Sequence, residues 1–321
     1  MTDEHEFRAL VEPYRAELHA HCYRMLGSVQ DAEDALQDTL LRAWRSLGSY
    51  DTTRPLRPWL YRIATNASLD ALNRRPKRTM PMDHAPPSGI DEGPGRPLTE
   101  TTWIEPYPDG DVPDGLASPE ARYEQRESVE LAFVAALQHL APRQRAVLIL
   151  REVLGFSAKE AAQSLNTTAA SVNSALQRAR QTVDERLPDR TQQVTARELG
   201  DERLESLVKR YVEAWESRNV DAMMAVLVED ATFAMPPHPH WFRGRENVVA
   251  FVSGTGRLQL RHLLTTANGQ PAIAWYILAP GRETAFAASL EVLGLERDRV
   301  KDITAFAGPG FFDLFGLPKE L

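Results

Sequence analysis

At 321 residues the chain is too long for one ordinary domain, and two or three units, each able to bury its own core, are expected. The formal net charge of -8 would argue against a nucleic-acid role if it were spread evenly, but residues 54–78 hold Arg54, Arg57, Arg62, Arg74, Arg75, Lys77 and Arg78 against Asp70 alone, a footprint suited to phosphate. Cys22 stands alone, which excludes an intrachain disulfide; with an acidic N-terminus, no apolar leader and no run long enough to span a membrane, a soluble cytoplasmic protein is expected.

Residues 6–78 are helical in pattern. Phe7, Leu10, Val11, Tyr14 and Leu18 form one stripe, and Gly27 ends the segment. Ser28 opens the next helix, with Asp31 where the acid of a capping box sits and Ala32, Ala35, Leu36, Thr39, Leu40, Ala43 and Trp44 facing inward. Its outer face carries Asp34, Gln37, Asp38, Leu41, Arg42 and Arg45, and Leu41 among charges suggests a partner helix. A third helix starts at Pro58. Its Trp59, Tyr61 and Arg62, with Asn66 and Ser68, suit unstacked single-strand bases, although Trp59 also reads as plain core.

Between 79 and 120 the pattern disappears. Nine prolines and nine Asp or Glu against Arg96 mark a linker, extended or disordered when free, although Trp103 to Asp109 is apolar enough to dock on something. A second helical unit follows, with Leu131, Val134, Ala135, Leu137 and Leu140 in its first helix and Pro142 opening the next. It closes on a helix-turn-helix. Ser157 and Glu160 form a capping box, Thr168 caps a second helix, and Val172, Ala175, Leu176, Ala179 and Val183 are its buried stripe. The opposite face offers Ser171, Asn173, Ser174, Gln177 and Arg178, groups able to pair with base edges in a major groove.

From residue 200 the pattern becomes α+β. A long amphipathic helix from Leu204 to Trp215 and a shorter one over 222–227 precede strand-like runs at 231–235, 258–267, 271–278, 284–293 and 300–307, with Asn268-Gly269 as a hairpin turn. A curved antiparallel sheet closing a cone with one interior pocket is expected.

In this order the parts resemble a bacterial sigma factor of the extracytoplasmic-function (sigma-70) family with a C-terminal SnoaL-like, nuclear-transport-factor-2-like domain. The resemblance is carried by Asp31 to Trp44, Pro58 to Asn66, Leu140 to Arg180 and Trp103 to Asp109, and more loosely by Gly244-Arg245, Asn268 to Ala272 and Phe315 to Pro318. It implies two all-α units, the second with the helix-turn-helix, joined by an acidic linker and followed by an α+β cone-shaped domain: residues 1–78, 79–119, 120–188 and 200–321.

The resemblance also implies partners and roles. Asp34, Gln37, Asp38, Leu41 and Arg42 match the face that docks on core RNA polymerase. Arg62, Asn66, Ser68, Arg74 and Arg75 match the part that captures the melted −10 element, and Ser171, Asn173, Ser174, Gln177 and Arg178 the part that reads −35 duplex. Linkers of this family thread near the polymerase active-site channel, and this one is longer than in minimal members. Trp103 and Tyr107 are the expected interdomain contacts through which the C-terminal domain modulates activity. That domain holds either a small-molecule pocket, with Met235, His238, Trp241, Trp275 and Phe286 as lining, or a packed core. No catalytic residue, metal site or cofactor is expected: His238-Pro239-His240 reads more simply as a rigid loop than as a base, and no Cys or His cluster completes a metal site. The alternative function is a ligand-sensing helix-turn-helix regulator acting without polymerase, which leaves the Ser28 to Arg45 face unexplained.

Overall fold

The structure is a computed structural model that describes residues 4–111, 128–188, 190–254 and 258–321. They fall into two compact units: Met1–Arg78 with Gly110–Asp189, and Thr79–Asp109 with Arg190–Leu321.

The first unit opens with α1 (Glu4–Val11), α2 (Arg15–Leu26), α3 (Val29–Ser46) and α4 (Leu56–Leu72). Gly27 ends α2 at φ +70°, a left-handed position that glycine takes without a Cβ penalty, and its N–H donates to Tyr23 O at 2.7 Å. Ser28 Oγ accepts from Asp31 N at 3.1 Å and starts α3. The Asp31 carboxylate does not close a capping box: Arg78 Nη2 donates to it at 2.7 Å and Arg75 pairs with it, so it ties α3 to the residues after α4. Leu18, Met25, Leu36, Leu60 and Ala64 are almost wholly buried between these helices, each large side chain contributing about 1.5–3 kcal/mol. Trp44, expected inside, is 38% exposed and meets Phe7 edge-on at 5.1 Å.

The same unit continues with α5 (Leu131–Gln138), α6 (Pro142–Leu148), a π-turn (Ile149–Val153), α7 (Ala158–Ser164) and α8 (Ala169–Asp184). Ser157 and Glu160 form the reciprocal capping box at 3.2 and 2.8 Å, and Thr168 Oγ1 accepts from Ser171 N at 3.2 Å. Two arginines clasp these helices to the first four. Arg145, 2% exposed, donates to the carbonyl of Met25 and to Gln138 Oε1 at 2.6 Å, and Arg24 donates to Ser128 O at 3.2 Å. Tyr61 meets Phe156 edge-on at 5.7 Å in the same seam.

The second unit holds α9 (Gln192–Leu199), α10 (Asp201–Ser217), α11 (Val220–Val226), α12 (Arg245–Gly254) and six strands: β1 (Leu227–Ala234), β2 (Trp241–Arg243), β3 (Gln259–Ala267), β4 (Gln270–Leu278), β5 (Phe286–Glu296) and β6 (Arg299–Ala307). The sheet order is β2-β1-β6-β5-β4-β3. It is mixed, not purely antiparallel, because β1 runs parallel to β6 with Phe233 opposite Ile303. Leu207, Tyr211, Trp215, Phe233, Ile273 and Leu293 lie within one packed core.

Residues 79–109 of the linker are not a free spacer, and 112–119 lie outside the described residues. Its Tyr107 N donates to Asn268 Oδ1 at 2.9 Å, Asn268 N donates back to Tyr107 O at 2.8 Å, and Asp109 Oδ1 accepts from Gly269 N at 2.7 Å. Hydrogen bonds between main-chain N–H groups and the Asn268 and Asp109 side chains tie down a segment whose composition lacks a core of its own.

Candidate nucleic-acid interface

Three surfaces of the first unit carry the candidate residues. On α3, Asp34 and Gln37 are exposed, Asp38 and Arg42 are half-exposed, and Leu41 is 55% exposed. Arg42 Nη1 donates to Asp70 Oδ2 at 2.8 Å and its guanidinium also pairs with Asp38, so the charges hold one another in place around the apolar side chain. Gln37 Nε2 donates to Glu33 Oε1 at 3.1 Å. Beside Leu41 a groove of about 620 Å³ runs between α1 and α3, lined by Phe7, Val11, Leu40 and Trp44. Apolar surface left open inside a ring of charge is the form of a docking face.

On α4 the structure separates residues that the sequence grouped together. Arg62 and Asn66 are exposed one turn apart, and Trp59, half-buried, tilts against Tyr50 at 4.7 Å on the same side. Ser68 is fully buried beside the Cys22 thiol and cannot meet a base. It leaves the candidate set because two residues along a helix turn a side chain about 200° away. Arg74 and Arg75 are exposed beyond the helix end, Arg75 pairing with Asp31 and with Asp34 at 3.2 Å. The face of α4 turned inward is rigid: Tyr61 OH donates to Glu17 Oε2 at 3.0 Å, Arg57 lies 4.9 Å over the Tyr61 ring, and burial draws the His21 imidazole down to about 3, keeping it neutral against Thr65. Burial likewise pushes the Cys22 thiol up to about 12, so it stays an inert core group.

On α8, Ser171, Asn173, Ser174, Gln177 and Arg178 are all exposed, while Val172, Leu176, Ala179 and Val183 are buried against the helices behind. This exposed polar face therefore stands on a fixed scaffold. Arg180, further along the helix, pairs with Glu152 of the π-turn.

In the second unit, the five residues expected to line a pocket do not converge. Met235 packs against the core, Trp275 Nε1 donates to Glu291 Oε2 at 2.7 Å inside it, and Phe286 is 44% exposed. His238 and Trp241 are taken by the linker, Nδ1 of the former bonded to Gly95 O at 2.8 Å and Nε1 of the latter to Ala85 O at 2.8 Å. Trp103 donates to Leu98 O at 3.2 Å and lies 5.1 Å from the His84 ring, bracing the linker itself, whereas Tyr107 joins the linker to the β3–β4 turn. Tyr211 OH and Trp275 both donate to buried Glu291, whose carboxyl burial pushes up to about 7.

A helix that runs into a basic segment and a helix-turn-helix, both on one helical scaffold and followed by an α+β unit, fit the class of modular DNA-binding proteins. Residues 10–78 match Sigma-70 region 2, residues 130–183 match Sigma-70, region 4, and residues 208–303 match the SnoaL-like domain. The chain is 41% identical over 98% of its length to the ECF RNA polymerase sigma factor SigG of Mycobacterium tuberculosis (strain ATCC 25618 / H37Rv), covering 85% of that protein. It is 28% identical over 58% of its length to the ECF RNA polymerase sigma factor SigW of Bacillus subtilis (strain 168), covering 91% of it. The crystal structure of the Mycobacterium tuberculosis extracytoplasmic function sigma factor SigJ shares the fold, with a TM-score of 0.62 at 22% identity over 97% of this chain and 99% of that one. The chain belongs to the extracytoplasmic-function sigma factors of the sigma-70 family, in the form that carries a C-terminal SnoaL-like domain.

Proposed function

We propose that this sigma factor docks on core RNA polymerase through Asp34, Gln37, Asp38, Leu41 and Arg42 of α3, reads the −35 duplex with Ser171, Asn173, Ser174, Gln177 and Arg178 of α8, and receives the melted −10 strand on Arg62 and Asn66. Arg74 and Arg75 supply phosphate attraction next to that site. The observation that carries the reading is α8 itself, where every candidate base-reading side chain is exposed and the opposite stripe is buried. Hydroxyl, amide and guanidinium groups on a fixed helix face match the donor and acceptor pattern of a major groove. The exposed Leu41 on α3 favours polymerase docking over a regulator that acts on duplex DNA alone. The chain makes and breaks no bond in this role and works in the cytoplasm, where the polymerase acts. Its C-terminal domain modulates the outcome through the linker it holds.

Run-off transcription with purified core polymerase tests the proposal. Added chain is expected to produce promoter-dependent transcripts that are lost when either element is scrambled. Transcript levels indifferent to both elements would overturn it.

A further inference from the structure

The loop joining β1 to β2 contains His238-Pro239-His240, and neither histidine belongs to the surfaces assigned to DNA or polymerase. Both rings face the linker. His238 Nδ1 lies 2.8 Å from Gly95 O and His240 Nδ1 lies 2.9 Å from Gly93 O. A carbonyl only accepts, so each Nδ1 carries the hydrogen and donates. The two donors stand two residues apart around a proline, and so do the two acceptors: His-Pro-His meets Gly-Pro-Gly. The prolines limit φ on both sides, so little freedom is lost when the two segments pair.

The gripped segment is selected by shape as well. Gly95 has φ +73°, and a Cβ built there would stand 3.2 Å from Cγ, Cδ2 and Cε1 of His240. The ring cannot swing away without giving up its bond to Gly93 O. Further bonds reach the linker's main chain: Ser88 N donates to Trp241 O at 2.8 Å, Leu98 N to Pro237 O at 3.0 Å, and the Trp241 indole Nε1 to Ala85 O at 2.8 Å. Recognition is thus by backbone groups plus the absence of a side chain at one position. Gly93, Pro94 and Gly95 remain half-exposed, so the segment can leave without opening the sheet.

We infer that the β1–β2 loop is a peptide-binding site for a Gly-Pro-Gly segment, filled in this chain by Gly93-Pro94-Gly95 of its own linker. The site makes the C-terminal domain a holder of the linker. Its regulatory consequence rests on the sigma-factor reading: a linker sewn to this loop is withheld from the polymerase channel. The binding itself does not depend on that reading.

Hydrogen exchange on the full chain tests it, since the amides of Ser88 and Leu98 are closed only while the segment is held. Gly95→Ala, and separately the pair His238→Ala with His240→Ala, are expected to speed exchange at both amides at least about tenfold, with Ile273 and Leu293 in the sheet unchanged. Gly89→Ala is the control, because its φ is ordinary and its Cβ would meet Glu92 Oε1 at 3.6 Å, a normal contact. A second arm leaves the chain unsubstituted. A synthetic peptide of residues 84–99, at an excess of about millimolar to compete with a tethered segment, is expected to displace the linker and speed exchange at Ser88 and Leu98, while the same peptide with alanine at position 95 does not. Unchanged rates in Gly95→Ala, or equal action of the two peptides, would overturn the assignment. Neither arm uses polymerase or promoter, so failure here leaves the transcription result standing and the reverse.

Discussion

Asn66 and Ser68 differ by two positions on α4, and that spacing decides which of them can touch DNA. Asn66 faces solvent, and Ser68 is sealed beside Cys22. In a selection from randomised −10 sequences, Asn66→Ala is expected to change the preferred base and Ser68→Ala to leave the preference as it is; a shift from Ser68→Ala alone would contradict the face assignment. Glu291 gives a prediction of another kind. Its folded value of about 7 lies above the ordinary carboxylate value of 4.5, so the folded state holds the proton more tightly than the unfolded chain. Ionising it inside the core therefore lowers stability as pH rises from about 4.5 to 7, with a slope of at most ~1.4 kcal/mol for each pH step of one. Glu291→Gln keeps an acceptor for Tyr211 and Trp275 and removes the charge. Urea melts are expected to show Glu291→Gln close to wild type at pH 4 and more stable at pH 8, with the wild-type slope over that window flattened.

Elements whose signals are local were legible in the sequence. Ser28, Ser157 and Thr168 each cap the helix that follows them, because a cap is decided within four residues. What depends on distant partners was not legible. The Asp31 carboxylate reaches Arg78 across 47 positions and not its own helix end, β2 is three residues long, and the parallel pairing of β1 with β6 joins strands far apart in the chain. That Trp103 to Asp109 docks was legible in its apolar residues, but its partner was not, since Tyr107 meets Asn268 across 161 positions through hydrogen bonds that carry no hydropathy signal. The α8 face was legible because one stripe is apolar and the other is not. Gln177→Ala and Arg178→Ala are each expected to cost about 1–3 kcal/mol of −35 discrimination in duplex selection, with affinity for unrelated DNA held in Gln177→Ala and lowered in Arg178→Ala, which removes a cation. On α3, Asp38→Arg is expected to weaken binding to core polymerase while the circular-dichroism spectrum holds. The exposed pair with Arg42 that it breaks is worth under about 1 kcal/mol to the fold, too little to account for lost binding.

The seam inside the first unit sets a limit on what the free protein can do. Helices α4 and α8, of 17 and 16 residues, span about 26 and 24 Å at 1.5 Å per residue. Their scaffolds touch where Tyr61 meets Phe156 at 5.7 Å. The candidate residues Asn66 and Arg178 are joined through that contact by part of α4, by α7 and its turn, and by part of α8, a path of at most about 75 Å. Elements centred about 25 base pairs apart are separated by roughly 85 Å of duplex at 34 Å per helical turn. On the proposed roles of α4 and α8, the clasp has to open before one molecule reads both. Arg145 is its pin, because its guanidinium satisfies the Met25 carbonyl from one side of the seam and Gln138 from the other. Replacing it by Met leaves those buried acceptors unpaired, which weakens the clasp by about 1–3 kcal/mol. Cysteines introduced at the exposed positions Ser49 and Glu185 can carry spin labels selectively, since Cys22 is buried and held as a thiol. Wild-type chain is expected to give a single short distance when free and one longer by about 20–30 Å on polymerase with promoter, and Arg145→Met to populate the longer distance without either partner. A free-chain distance that Arg145→Met leaves unmoved would show that the arginine is packing and not a pin.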